Sequence, residues 1–365
     1  MSDLTLEDIA KLAGVSRSTV SRVINENPNV SNKVRTRVLK IIQNTGYHPN
    51  AAARSLASQR THMIGLVLPR TTSSFFTDPY FPHLTQGIAF ACNNNDLTLS
   101  LFLVGNRSDE EKITPRISRR GLLDGTLIQS GPLDDSLVKR LIESKVPCVV
   151  LGRPLIKQSL SFIDVDNVSG AKTAVNHLIR LGYQRIGMIT GSRNSSVTID
   201  RRKGYFDAMH ETGRVIDESL IAEGDFTESS GYIVMQTLLS QKPDAIFAHS
   251  DIMAIGAMRA VHEAGLQVPQ DVAFVGYDDL PNLSVSNFGL TTIHQPITHF
   301  GIKAVELLMD VIDHGIKPAR QLILGTELVI RDTCGTKYRG MLSDKGTEQD
   351  FQGALSIINA AKQEV

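Results

Sequence analysis

The 365-residue chain has no apolar run of about 18 residues or more, so no membrane-spanning helix is expected. It has three cysteines, Cys92, Cys148 and Cys334, isolated from one another and odd in number. That pattern argues against a disulfide framework and against a paired-cysteine metal site; it fits buried thiols in a reducing cytoplasm. No Gly-x-Gly-x-x-Gly follows a strand-like run, and Walker loops, His-Glu-x-x-His and Gly-x-Ser-x-Gly are all missing. No cofactor, no metal and no enzyme activity are therefore expected. The opening residues, Met-Ser-Asp-Leu-Thr, do not read as a secretory signal, which again favours a cytoplasmic location. Net charge is zero, with 38 basic and 38 acidic residues.

That neutrality hides an asymmetry. Residues 1–62 hold nine Lys and Arg against four Asp and Glu, leaving 29 against 34 in residues 63–365. A basic head on an acidic body suits a nucleic-acid binder. Within the head, Thr5 and Asp8 have capping-box spacing, and Leu6, Ile9, Ala10 and Ala13 share a helical face. Gly14 can end that helix and Ser16 can cap the next. On the second helix Arg17, Ser18, Ser21, Arg22 and Asn25 fall in an arc of roughly 140°, apart from the apolar Val20, Val23 and Ile24. Such a face carries donors and acceptors for base edges and phosphates, as in a helix-turn-helix. Ser31 is placed to cap a third helix, with Val34, Val38, Ile41 and Ile42 inward and Gly46 at its end. The head is set at 1–48.

Residues 49–62 form a hinge and linker. Pro49 and the following alanines favour a helix too short to be stable alone. Its one large apolar side chain, Leu56, suits a minor-groove wedge, with Ala53 permitting close backbone approach.

The motif Val15-Ser16-x-x-Thr19-Val20-Ser21-Arg22-Val23-x-Asn25 and the hinge Pro49-Asn50-x-x-Ala53-Arg54-x-Leu56 resemble the lactose/galactose repressor family of bacterial transcription regulators. The likeness runs from about Leu4 to Cys334. It implies a homodimer on double-stranded DNA at a pseudopalindromic operator, controlled by a small-molecule effector. Major-groove reading falls to Arg17, Ser18 and Arg22, and minor-groove insertion to Leu56. Thr5, Ser16, Ser21, Asn25, Ser31, Asn50 and Ala53 complete the expected DNA-binding set.

From Met63 the pattern changes to short apolar strands alternating with amphipathic helices: 64–68, 97–103, 125–128, 147–151, 186–189, 245–248 and 272–275. This predicts parallel sheets covered by helices on both faces. About eleven strands are too many for one small sheet, so two doubly wound subdomains with a cleft between them are expected. The expected fold is thus an N-terminal all-α helix-turn-helix head plus an α/β core. The resemblance makes that core periplasmic-binding-protein-like, spanning 63–334 with crossings near 161, 290 and 322. The N-subdomain then comprises about 63–161 and 291–322, and the C-subdomain about 162–290 and 323–334.

Ligands in open α/β sheets bind beyond the carboxyl ends of strands. Residues there include Asp78, Tyr80, Phe81 and Arg153. By resemblance, Arg201, Phe226, Ser250, Asp278 and Gln295 occupy effector-contact positions; Ser250 departs from the asparagine of some relatives. Carboxylate, guanidinium and aromatic side chains suit a sugar: the first two bond its hydroxyls and the third covers its C–H face. A purine between aromatics is also compatible, as is either sign of control, induction or corepression. Asp278 and Asp279 also fit a structural pairing role, and Asp164 with Asp166 imitates a catalytic carboxylate pair. A periplasmic sugar carrier would share the body, but not the basic head. Residues 335–365 read as a flexible tail or a weak helix.

Overall fold

A computed structural model describes residues 4–24, 27–47, 60–69, 71–119, 121–129, 136–155, 159–281 and 289–336. The chain divides into two compact units, at His62 and Met63. Asn25, Asn50, Ala53, Leu56 and the tail beyond Thr336 lie outside the described residues.

The head consists of α1 (Leu6–Ala13), α2 (Arg17–Ile24) and α3 (Asn32–Thr45). Its first helix starts where the sequence predicts: the Asp8 amide donates to Thr5 Oγ1 and the Thr5 amide to the Asp8 carboxylate. Gly14 ends it at φ 61°, a left-handed conformation that a side chain would strain. Ser16 caps α2, accepting from the Thr19 amide at 3.2 Å. Ser31 occupies the cap position of α3, but its side chain accepts no capping bond, so it caps by position alone. Ile9, Ala13, Val20, Val23 and Val38 meet in a small core, closed by Tyr47.

The core contains two six-stranded sheets. The first has β1 (Met63–Leu68), β2 (Thr98–Leu103), β3 (Gly125–Gln129), β4 (Cys148–Leu151), β5 (Phe162–Val165) and β11 (Gln321–Leu324), in the order β11-β5-β4-β3-β1-β2. The second has β6 (Ile186–Thr190), β7 (Ile221–Glu223), β8 (Ala245–Ala248), β9 (Ala273–Asp278), β10 (Thr292–His294) and β12 (Glu327–Val329), in the order β12-β10-β9-β8-β6-β7. Every pairing is parallel except β10 with β12.

Nine α-helices and a short 3-10 helix (Glu218–Leu220) accompany the sheets among the described residues; the α-helices are α4 (Thr72–Thr77), α5 (Tyr80–Asn94), α6 (Arg107–Ile117), α7 (Ser136–Ser144), α8 (Asn167–Arg180), α9 (Ser196–Glu211), α10 (Glu228–Leu239), α11 (Asp251–Glu263) and α12 (Ile297–His314). Leu84 and Ile88 of α5 pack with Phe300, Ala304 and Leu308 of α12 over the first sheet. Tyr205 and Met209 of α9 pack with Ala171 and Val175 of α8 on the second. Cys92, Cys148 and Cys334 are all buried thiols. None of the described helices is long and apolar enough to cross a membrane.

The chain passes between lobes at 166, at 295–296 and at 325–326, each a few residues later than expected. The first shift arises because Phe162–Val165, not named as a strand, stays bonded to the first sheet. There Gly152 donates to the Ile163 carbonyl and Asp166 to that of Leu324. The other two follow from β10 and β11, both missed, which run on past 290 and 322 before the chain leaves its sheet. β9 also exceeds its expected end at Val275, reaching Asp278 through pairing with β10.

Candidate effector cleft and nucleic-acid interface

On the head, Arg17, Ser18 and Arg22 are exposed on α2, and Ser21 is half-buried beside them. Val20 and Val23 point into the core. Arg17 reaches Glu7 of α1 at 3.1 Å, both side chains well exposed, a contact worth little in water. The hydroxyls of Ser16 and Ser18 lie 2.8 Å apart. Thr5 and Ser31, also expected to contact DNA, are exposed at the starts of α1 and α3.

In the core, a cavity of about 920 Å³ opens between the lobes. The first lobe contributes Asp78, Tyr80, Phe81, Gln129, Asp164 and Phe300. From the second come Asn167, Ser196, Arg201, Phe226, Ser250 and Asp278, and Gln295 lies on a crossing. Parallel strand order explains this convergence: β1, β3, β5, β6, β8 and β9 all direct their carboxyl ends to one side of each sheet.

Arg201 is held from several sides. It is buried in the second turn of α9, and its guanidinium carbon lies 3.5 Å from the Tyr277 ring centroid. Nε donates to Asn167 Oδ1 at 2.9 Å, and Nη1 donates to the His249 carbonyl. Nη1 is also 3.7 Å from the Asp278 carboxylate. Burial pushes Asp278 well above the usual carboxylate range, while Arg201 and the Gln295 amide, which donates to it, pull the other way.

Asp278 and Asp279 both have left-handed backbones, at φ 126° and 57°, a strain that surrounding contacts must hold. Asp279 supplies part of that hold, accepting from Arg331 at 2.6 Å and pairing with His294 Nδ1 at 3.0 Å. Asp251, buried at the start of α11, accepts from the Leu280 amide at 3.0 Å and fixes the same turn. Of the two adjacent aspartates, then, Asp278 faces the cavity and Asp279 ties neighbouring strands.

Ser250 caps α11 through the Met253 amide while lining the cavity. The Tyr80 amide donates to Asp78 Oδ1 at 3.0 Å, and burial raises the Tyr80 phenol beyond its ordinary value. Phe226 sits at φ 67°, its ring against Gly191; a Cβ there would lie 2.0 Å from the ring.

Arg153 is placed differently from its expected role. It is not among the cavity-lining residues; its guanidinium makes two bonds, of 2.9 and 2.7 Å, to Asp200.

Sequence reasoning missed Asp164, Asn167 and Gln129 as cavity residues. Gln129 had a signal, since it follows the named strand 125–128 directly. Its Oε1 is buried with no hydrogen-bond partner among the described residues. Asp164 accepts from the Arg153 amide at 2.7 Å and the Val165 amide at 2.8 Å, yet burial still pushes it up to about 6. Asp166 instead caps α8.

Residues 5–50 match the model of bacterial regulatory proteins of the lacI family, and residues 175–334 match the periplasmic binding protein-like domain. The HTH-type transcriptional regulator CelR of Thermobifida fusca is 36% identical over 90% of this chain and 98% of its own. The HTH-type transcriptional repressor PurR of Edwardsiella ictaluri is 35% identical over 90% of this chain and 96% of its own. Among solved structures, a CelR–cellobiose complex is similar with TM-score 0.72 and 34% identity, over 90% of this chain and 99% of that one. A lac repressor dimer bound to operator and the anti-inducer ONPF has TM-score 0.77 and 28% identity, over 91% and 99%. With a head, a core and near-full-length relatives all agreeing, the chain belongs to the lacI family of bacterial transcriptional regulators.

Proposed function

We propose that this regulator is a homodimeric, cytoplasmic repressor of carbohydrate-utilisation genes, released from a pseudopalindromic operator when a sugar enters the cleft. It acts by binding rather than by catalysis. The cavity carries the reading. Its floor combines a buried guanidinium, two buried carboxylates and the side-chain amides of Asn167, Gln129 and Gln295 beside the rings of Tyr80, Phe81 and Phe226. Vicinal hydroxyls suit the carboxylates, and ring or hydroxyl oxygens suit Arg201. The volume falls within the usual range of roughly 300–1,000 Å³ for small-ligand pockets and leaves room for more than one sugar ring. The CelR–cellobiose complex makes a disaccharide the first ligand to try.

On the head, Arg17, Ser18, Ser21 and Arg22 supply base and phosphate contacts; Asn25, outside the described residues, belongs to the same expected set. Thr5, Ser16 and Ser31, at helix starts, hold the head against phosphates. Asn50, Ala53 and Leu56 form the hinge that opens the central base step. Ligand and DNA are linked through one coupling free energy, so whatever the sugar does to operator affinity, the operator does to sugar affinity.

Fluorescence anisotropy on a palindrome with a central C-G step, with and without cellobiose, other sugars and purines, tests this. Release by a sugar is the expected result. Tightening by a purine replaces the reading with corepression, and a response to neither class overturns it.

A further inference from the structure

Arg153 stands just beyond β4 of the first lobe, and Asp200 lies in the first turns of α9 of the second. The two are 47 residues apart in the chain and joined by a bidentate ion pair. The side chains are 38% and 15% exposed, so the pair is partly shielded from water. A fork of two parallel N–H···O bonds also fixes orientation, which a point charge would not.

Both partners are wired to the cavity through their neighbours. The Arg153 amide donates to Asp164, a cavity-lining carboxylate of the first lobe. Asp200 precedes Arg201, whose guanidinium is part of the cavity floor in the second lobe. Arg153 therefore lies between two carboxylates, with its backbone on Asp164 and its guanidinium on Asp200. Without that guanidinium, Asp164 and Asp200 would repel across the lobe boundary. Asp200 already acts on Asp164 by like charge, raising its proton affinity.

We propose that Arg153 and Asp200 are positioning residues that form a clasp between the lobes, holding them together before any effector arrives. The clasp touches no sugar. It lowers the cost of closure that effector binding would otherwise meet, so it sets effector affinity and, through linkage, the sensitivity of the switch. This rests on the effector-cleft reading for its sugar readout only; its mechanical content is independent of what the cleft binds.

The test uses the full-length protein and four variants: Arg153→Ala, Arg153→Lys, Asp200→Asn and the double exchange Arg153→Asp with Asp200→Arg. Without any ligand, hydrogen exchange is followed at residues 151–155 and 196–201. Both Arg153→Ala and Asp200→Asn should speed exchange in both segments by roughly tenfold, the scale expected for losing a well-aligned, partly shielded pair. Arg153→Lys, which keeps the charge but not the fork, should fall between, and the double exchange should return most of the protection. Unchanged exchange in the single variants overturns the clasp, whether or not a sugar has been found.

With cellobiose, or whichever sugar releases the operator, the same variants are titrated by calorimetry. Equal losses of roughly tenfold for Arg153→Ala and Asp200→Asn, with recovery in the double exchange, support the clasp. A loss confined to the Arg153 variants with no recovery assigns Arg153 to the sugar instead and overturns it.

Discussion

The Arg201 guanidinium carbon sits over the Tyr277 ring, 3.5 Å from its centroid, with Nε donating to Asn167 and Nη1 to the His249 carbonyl. The ring covers one face of the guanidinium and the two acceptors fix its plane. The protein's own groups therefore fix its orientation.

Arg201→Lys keeps the charge and loses both the stack and the fork. Hydrogen bonds involving a charged group contribute about 1.5–3 kcal/mol each, so effector affinity should drop by roughly a hundredfold. Calorimetric titration of the releasing sugar measures this. A loss below about threefold would remove Arg201 from recognition.

Asp164 supplies a pH dependence. Its proton affinity is raised by burial, to about 6 from the ordinary 3.8. The folded chain thus holds a proton there that the unfolded chain gives up. The corresponding stabilisation is complete below the unfolded value and is lost as pH rises through about 6. Asp164→Asn cannot ionise and escapes that loss. Urea unfolding from pH 4 to pH 8 should show the variant gaining on the parent, by about 1.4 kcal/mol per unit at most, up to pH 6–7 and level beyond. A difference that stays flat across the whole range would show that Asp164 is not shifted.

Gly191 tests the aromatic wall. A methyl added there would collide with the Phe226 ring, which is only half-buried and can swing away. Gly191→Ala should therefore weaken effector binding by about as much as Phe226→Ala, roughly tenfold, with little change in the unfolding midpoint. A large fall in stability with full effector affinity would place the ring in the core instead.

Two changes separate scaffold from reading on the head. Ser16→Ala removes the bond from the Thr19 amide and should cost the head about 1 kcal/mol, seen as a lower melting temperature. Arg22→Ala leaves that fold alone and should cost about 1–3 kcal/mol of discrimination, read as a smaller ratio of operator to random-DNA affinity. An unchanged ratio would confine Arg22 to phosphate contact.

How much of this was legible depended on range. Local signals were read correctly: the Thr5–Asp8 box, the Ser16 cap and the glycine stops at 14 and 46 depend on residues at most a few positions apart. Of the four residues named from strand ends, Asp78, Tyr80 and Phe81 line the cavity, as do the five placed by family resemblance, because parallel strands deliver their carboxyl ends together.

The fourth, Arg153, failed for a physical reason. Arg153 follows β4 and Arg201 lies in α9, and nothing local tells a guanidinium facing the cavity from one committed to a carboxylate 47 residues away. Short strands failed similarly. Phe162–Val165 has a buried aspartate in a four-residue apolar run, tolerated because three donors satisfy that carboxylate.

The burial of the three thiols has a consequence for signalling. Cys92 and Cys148 are shielded from water, which pushes both up to about 11, so neither exposes a reactive thiolate at neutral pH. Cys334 is equally enclosed, its sulfur beside the Arg331 carbonyl and the Thr336 hydroxyl. An oxidant or electrophile thus meets no accessible sulfhydryl anywhere on the chain. A thiol-alkylating compound at doses that inactivate exposed-cysteine sensors should therefore leave operator binding intact.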